Sequence, residues 1–169
     1  MANQPQLPPR AGTRPRTSAE LPHRQLDQQP SDSQYVDALY AEARTWPNVI
    51  AGPSAISVEG ARALILDTNV TGGPPEAFVI NREFCHVHTQ GDLSLHASLP
   101  PSLAVTAERM GWAEPHYLVA AGLAHVTLVM LYAPRDQVEH DVVLGLIRAS
   151  YEFALTGNAD GAAEFTSSH

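Results

Sequence analysis

Three histidines crowd the stretch REFCHVHTQGDLSLHASLP, residues 82–100, with His86, His88 and His96 inside eleven positions. Imidazole titrates near pH 6.5, so a shielded histidine can take the proton of a phenol or enol. Neutral imidazoles also bind Zn, Fe or Cu, and an H-x-H pair on one strand with a third histidine across a hairpin can meet at one ion. Both chemistries, a general base and a divalent metal on His86, His88 and His96, fit the residue types.

Either one requires the imidazoles to share a face. Alternate residues of a strand point to opposite sides. If REFCHVH and LSLHASL are paired strands joined by a loop Gln90-Gly91-Asp92, His86 stands opposite His96 and His88 opposite Ser94. One face then carries Phe84, His86, His88, Ser94, His96 and Ser98, and the other Cys85, Val87, Leu93, Leu95, Ala97 and Leu99. A loop one residue shorter or longer would mix polar and apolar groups on both faces. The clean sorting selects the three-residue loop, with the imidazole wall turned away from a helix-packed core and Cys85 as an inert buried thiol.

The elements around this hairpin follow from periodicity. Residues 1–32 are rich in Pro, Gln and Arg and poor in aliphatics, a composition that predicts a disordered tail. Val36, Leu39, Tyr40 and Ala43 fall at helical spacing ahead of Pro47, predicting a helix over 33–45. AISVE (55–59) and ARALILDT (61–68) read as extended, and HVTLVMLY (125–132) as a buried strand. Pro100 and Pro101 open a helix that ends at Gly111. Asp136 and Glu139 have capping-box spacing, opening a long helix to about Leu155 with Val142, Val143, Leu146, Ile147 and Phe153 on its apolar face. This order predicts an α+β domain over 33–157, an antiparallel sheet with helices on one face, followed by a disordered tail over 158–169.

Composition narrows the partners. The chain has ten arginines, no lysine and eighteen acidic residues, a formal net charge of -8, so it lacks the basic stripe that nucleic acid or anionic lipid requires. One cysteine allows neither an internal disulfide nor a cysteine-built zinc site. No run reaches the ~18 apolar residues of a membrane span and no signal peptide is evident, so the expectation is a cytoplasmic protein with a small-molecule partner.

The segments REFCHVHTQGDLSLHASLP, GWAEPHYL, LYAPRD and LIRASYEF, in this order and spacing, resemble the luciferase domain of bioluminescent fungi and its non-luminous bacterial relatives of unknown function. The element order is also similar to the small α+β fold of the MmcQ/YjbR type, a fold analogy only. The luciferase resemblance implies an enzyme that oxygenates a small aromatic or enolic molecule with O2, without an added organic cofactor; light emission is not expected here. It carries His86, His88, His96, His116 and Arg135 as catalytic candidates, a histidine taking the enol proton and the arginine holding negative charge. Phe84, Ser94, Ser98, Trp112, Tyr117 and Tyr132 become substrate-binding candidates, with Tyr117 standing where the fungal proteins have proline. For Trp112 and Tyr132 a place in the core or pocket wall is favoured over a catalytic one, Arg135 reads alternatively as a corner-fixing residue and Tyr151 as packing. A non-catalytic small-molecule or partner-binding domain on the same pocket is the competing reading.

Overall fold

In the computed structural model, which describes residues 6–159, the sequence sorts into an antiparallel sheet whose two faces differ in chemistry. Its strands are β1 (Val49–Pro53), β2 (Arg62–Leu66), β3 (Glu83–Val87), β4 (Leu95–Ser98), β5 (Ala113–Pro115) and β6 (Leu128–Leu131), in spatial order β1-β2-β3-β4-β6-β5. Every neighbouring pair is antiparallel. Helices α1 (Gln34–Ala43), α2 (Pro101–Arg109), α3 (Tyr117–Ala120) and α4 (Gln137–Thr156) complete the fold. The expected α+β architecture is therefore present.

One face is the apolar core. Cys85, Val87, Leu95, Ala97, Val129 and Leu131 pack there against Val36 and Leu39 of α1 and Val143, Leu146 and Ile147 of α4. Helix α4 starts as its spacing predicts: the Asp136 carboxylate accepts the Glu139 N–H at 2.8 Å. The Glu139 side chain, however, accepts the Arg135 N–H at 2.9 Å rather than that of Asp136. The helix ends at Gly157, whose φ of 70° is left-handed.

Two expectations fail in this scaffold. AISVE is a turn, and the strand beside β2 is VIAGP, residues 49–53. Gly52 and Pro53 argue against a strand in mid-sheet, but β1 is an edge and bonds on one side only, where proline is tolerated. AISVE instead turns around Ser54, whose hydroxyl accepts the Ser57 N–H at 3.1 Å, while the Ala55 N–H is taken by Glu83.

The larger correction concerns the segment read as a disordered tail. Residues 6–32 lie across the other face of the sheet as an ordered strap, with a hairpin in which Thr17 pairs with Gln25. Hydrogen bonds tie it down along its length: Trp112 Nε1 donates to the Pro8 carbonyl (2.6 Å), the Arg10 N–H to that of Met110 (2.9 Å) and the Ala133 N–H to Gln25 Oε1 (2.9 Å). Aliphatic content misleads here because this face of the sheet is polar, and what covers a polar face must offer hydrogen bonds rather than methyl groups. Residues 160–169, most of the expected C-terminal tail, lie outside the described residues, as do residues 1–5. No helix among the described residues is long and apolar enough to cross a membrane.

Candidate functional site

The hairpin register is the one that side-chain parity selects. His86 pairs with His96, Cys85 with Ala97 and Val87 with Leu95, and the His88 N–H donates to the Ser94 carbonyl at 3.0 Å. Gly91 takes the turn at a φ of 82°, a conformation that suits glycine. His86, His88 and His96 thus share the face under the strap.

Phe84 does not join them. Ile65 pairs with Glu83 but Leu64 with Cys85, so β3 carries one extra residue, Phe84, at a β-bulge. The bulge resets parity: Phe84 enters the core, 6.0 Å from the Tyr151 ring, and Glu83 reaches the histidine face in its place. Glu83 is the functional-site residue that strand parity misses, since nothing in REFCHVH marks the bulge. Its Oε1 lies 2.6 Å from His86 Nδ1 and accepts the Ser54 hydroxyl at 2.8 Å.

From Glu83 a row of contacts crosses the site. His86 Nε2 faces His96 Nδ1 at 3.1 Å, and His96 Nε2 faces the His23 carbonyl of the strap at 3.2 Å. These are three links, and two neutral imidazoles supply only two N–H groups. The row must either hold one extra proton or leave one link without hydrogen. With carboxylate and carbonyl as obligate acceptors at its ends, the unfilled link falls between His86 and His96. Beside them, His88 Nδ1 lies 2.8 Å from Asp92 Oδ1, leaving His88 Nε2 with no hydrogen-bond partner among the described residues. The Ser94 hydroxyl also bonds the Asp92 carboxylate, and the Gln25 N–H of the strap reaches it at 3.1 Å.

Two further imidazoles complete the cluster, and they face it with the opposite polarity. His23 Nδ1 accepts the Tyr117 N–H and His116 Nδ1 the Leu118 N–H, each at 3.1 Å, so in the neutral rings the proton sits on Nε2. His23 Nε2 then donates to Glu114 Oε2 at 3.2 Å. The His116 ring stands 4.5 Å from that of His96 and its Nε2–H has no acceptor among the described residues. The cluster therefore contains two kinds of imidazole: His86 and His88 turn bare nitrogens inward, and His116 brings a donor.

All five rings are buried, none more than 6% exposed. In three of them, His86, His96 and His116, burial disfavours the imidazolium. His96 is held well below the usual histidine range, by burial first and then by His86, His88, His116 and His23. His116 falls to about 4, by burial and then by His23, His86 and His88. Burial also lowers His86, with Glu83 opposing it. For Asp92 burial pushes upward, but His88, Ser94 and the Gln25 amide outweigh it and keep the carboxyl below its ordinary value.

The remaining sequence candidates divide. Ser94 and His116 join the cluster; Ser98, on the His96 face of β4, is fully buried with an unpartnered hydroxyl. Tyr132 is buried with its hydroxyl donating to Glu114 Oε1 at 3.0 Å, and Tyr117 contributes its backbone N–H to His23. Trp112 belongs to the core cluster, its indole N–H bound to the strap. Arg135 lies among other partners: its guanidinium bonds Glu139, Gln28 Oε1 at 3.2 Å and the Ala11 carbonyl at 2.9 Å, so it fastens strap to helix. Tyr151 packs against Trp46 and Phe84. Asp92 and His23 also belong to the site, though the sequence offered the first only as a loop residue and the second only as a lone histidine in a polar segment.

Fold and site thus define an α+β domain with a sealed polar face built on histidine. Comparison with known proteins gives the relationship. The luciferase-domain family model matches residues 81–150, which hold every cluster residue except His23. The luciferase of Armillaria ostoyae is 28% identical over 162 residues, covering 86% of this chain and 60% of that protein; the Armillaria mellea luciferase gives the same values. The Neonothopanus nambi luciferase is 26% identical over 158 residues, covering 85% and 59%. Residues 81–150 are thus similar to the luciferase domain, and the chain spans about 60% of the length of these curated relatives. No solved structure matches it significantly.

Proposed function

We propose that this chain is an oxygenase-like enzyme that ionises a small enolic or phenolic molecule at the histidine cluster and adds O2 to it. The observation that carries the reading is the split polarity of the cluster: bare imidazole nitrogens of His86 and His88 beside the free Nε2–H of His116. Ionising an enol separates charge. Bare nitrogens hold the positive partner, and an N–H donor steadies the oxyanion in surroundings where water is excluded and such contacts are strong. The enolate carbon then adds O2 and the peroxide anion takes a proton, so substrate R–H and O2 give R–OOH with no other oxidant. The relatives, named luciferases, support a reaction of this class.

An oxygen electrode with a panel of hydroxypyrones and catechols tests the proposal. The expected result is equimolar loss of O2 and substrate, with both atoms of 18O2 in the product and no light. His116→Leu should lower kcat by about 10²–10³, the usual effect of losing one oxyanion donor. Folded protein that takes up no O2 across the panel would overturn the proposal, and tight binding without turnover would favour a binding domain.

A further inference from the structure

We infer that His86 Nε2, His88 Nε2 and His96 Nδ1 form a binding site for one divalent first-row transition-metal ion. The inference rests on the functional reading for what the centre does, and it identifies the cation that the centre holds. Three observations converge. First, one nitrogen from each of these rings lies within 4.8 Å of those of the other two. Second, the opposite nitrogen of each ring faces an acceptor: Glu83 for His86, Asp92 for His88 and the His23 carbonyl for His96. That pattern is how proteins orient metal-bound histidines, since the outer acceptor fixes which nitrogen keeps its proton and raises the basicity of the other.

Third, the unfilled link has the right length. Two nitrogens bound to one ion at about 2.0–2.1 Å stand about 2.8–3.4 Å apart for angles between octahedral and tetrahedral. His86 Nε2 and His96 Nδ1 are 3.1 Å apart. Two lone pairs facing each other at that distance repel, and a cation between them removes the repulsion.

The same reasoning rejects the other triplet, His23, His96 and His116, whose nitrogens also cluster within 4.8 Å. His23 and His116 each accept a backbone N–H on Nδ1, so the nitrogen left to face an ion carries hydrogen. His116 instead supplies a donor to whatever occupies the ion's open position. With three imidazoles and an open position the set suits Zn, Fe or Cu and offers Mg or Ca none of the oxygen ligands they prefer.

The test uses the full chain without a histidine tag. After removal of metal by chelation, one equivalent of Zn2+ or Co2+ is added to the native protein and, separately, during refolding, and the sample is desalted. The expected result is one ion per chain by elemental analysis and visible ligand-field absorption for Co2+. Asp92→Asn and Glu83→Gln should each weaken Zn2+ binding 10–100-fold, as changes to such outer partners do. His116→Gln should leave the stoichiometry at one. Wild-type protein that retains no ion by either route overturns the inference, as does loss of the ion in His116→Gln with Asp92→Asn unaffected. Chelated protein that oxygenates substrate at full rate overturns the metal and keeps the enzyme; stoichiometric metal without oxygenation does the reverse.

Discussion

Gln25 decides whether the strap is part of the domain. Its side chain is 1% exposed and works in two directions: Oε1 accepts the Ala133 N–H at 2.9 Å, and Nε2 donates to the Asp27 and Gln28 carbonyls at 2.9 and 3.2 Å. Ala133 itself is fully buried. In Gln25→Ala the Ala133 N–H loses its acceptor where water does not reach, a loss of about 1–3 kcal/mol. For a chain of this size each 1 kcal/mol moves Tm by about 2–4 °C, so a loss of about 2 kcal/mol lowers Tm by about 4–8 °C. Urea titration should show the same loss as a lower midpoint at unchanged slope, and hydrogen exchange should show faster exchange at Ala133. A variant within about 0.3 kcal/mol of wild type, with Ala133 still protected, would refute a docked strap, because that cost is too small for an orphaned buried amide.

Acid should destabilise the fold. His116 titrates near 4 in the folded protein against an ordinary 6.5, so its neutral form stabilises above pH 6.5 and that stability is lost as pH falls toward 4. The 2.5-unit gap corresponds to about 3 kcal/mol, with His96 acting in the same direction, and urea midpoints between pH 7.5 and 4 in chelator should fall, less steeply in His116→Gln. Phe84→Ala should cost about 3–5 kcal/mol in denaturant titration, because Phe84 fills the core; a loss under 1 kcal/mol would return it to the histidine face. Gly73→Ala should cost about 1–3 kcal/mol, since an added Cβ would stand 2.7 Å from the Phe153 carbonyl oxygen and 2.9 Å from Gly157 Cα, and an unchanged midpoint would deny that contact.

What the sequence revealed and what it hid have the same physical source. Alternation reports which side chains share a face, so the pairing of His86 with His96 and of His88 with Ser94 was legible, as was the apolar stripe of α4. A bulge breaks alternation without a composition signal, and one extra residue moved Phe84 into the core and Glu83 into the site. The strap was illegible because disorder is inferred from scarce aliphatics, and this strap covers carboxylates and imidazoles through Gln25, His23 and its backbone. Arg135, read as a catalytic candidate with a corner-fixing role as the alternative, is held at its corner by Glu139 and the strap, a partner that local sequence does not contain.

The central claim is that the cluster is sorted into bare nitrogens and donors, and nitrogen-15 spectra of the histidine side chains at pH 7.5 test it most directly. The account predicts hydrogen on Nδ1 of His86 and His88, bound to Glu83 and Asp92, and on Nε2 of His23 and His116. Hydrogen on Nε2 of His88 or on Nδ1 of His116 would contradict it.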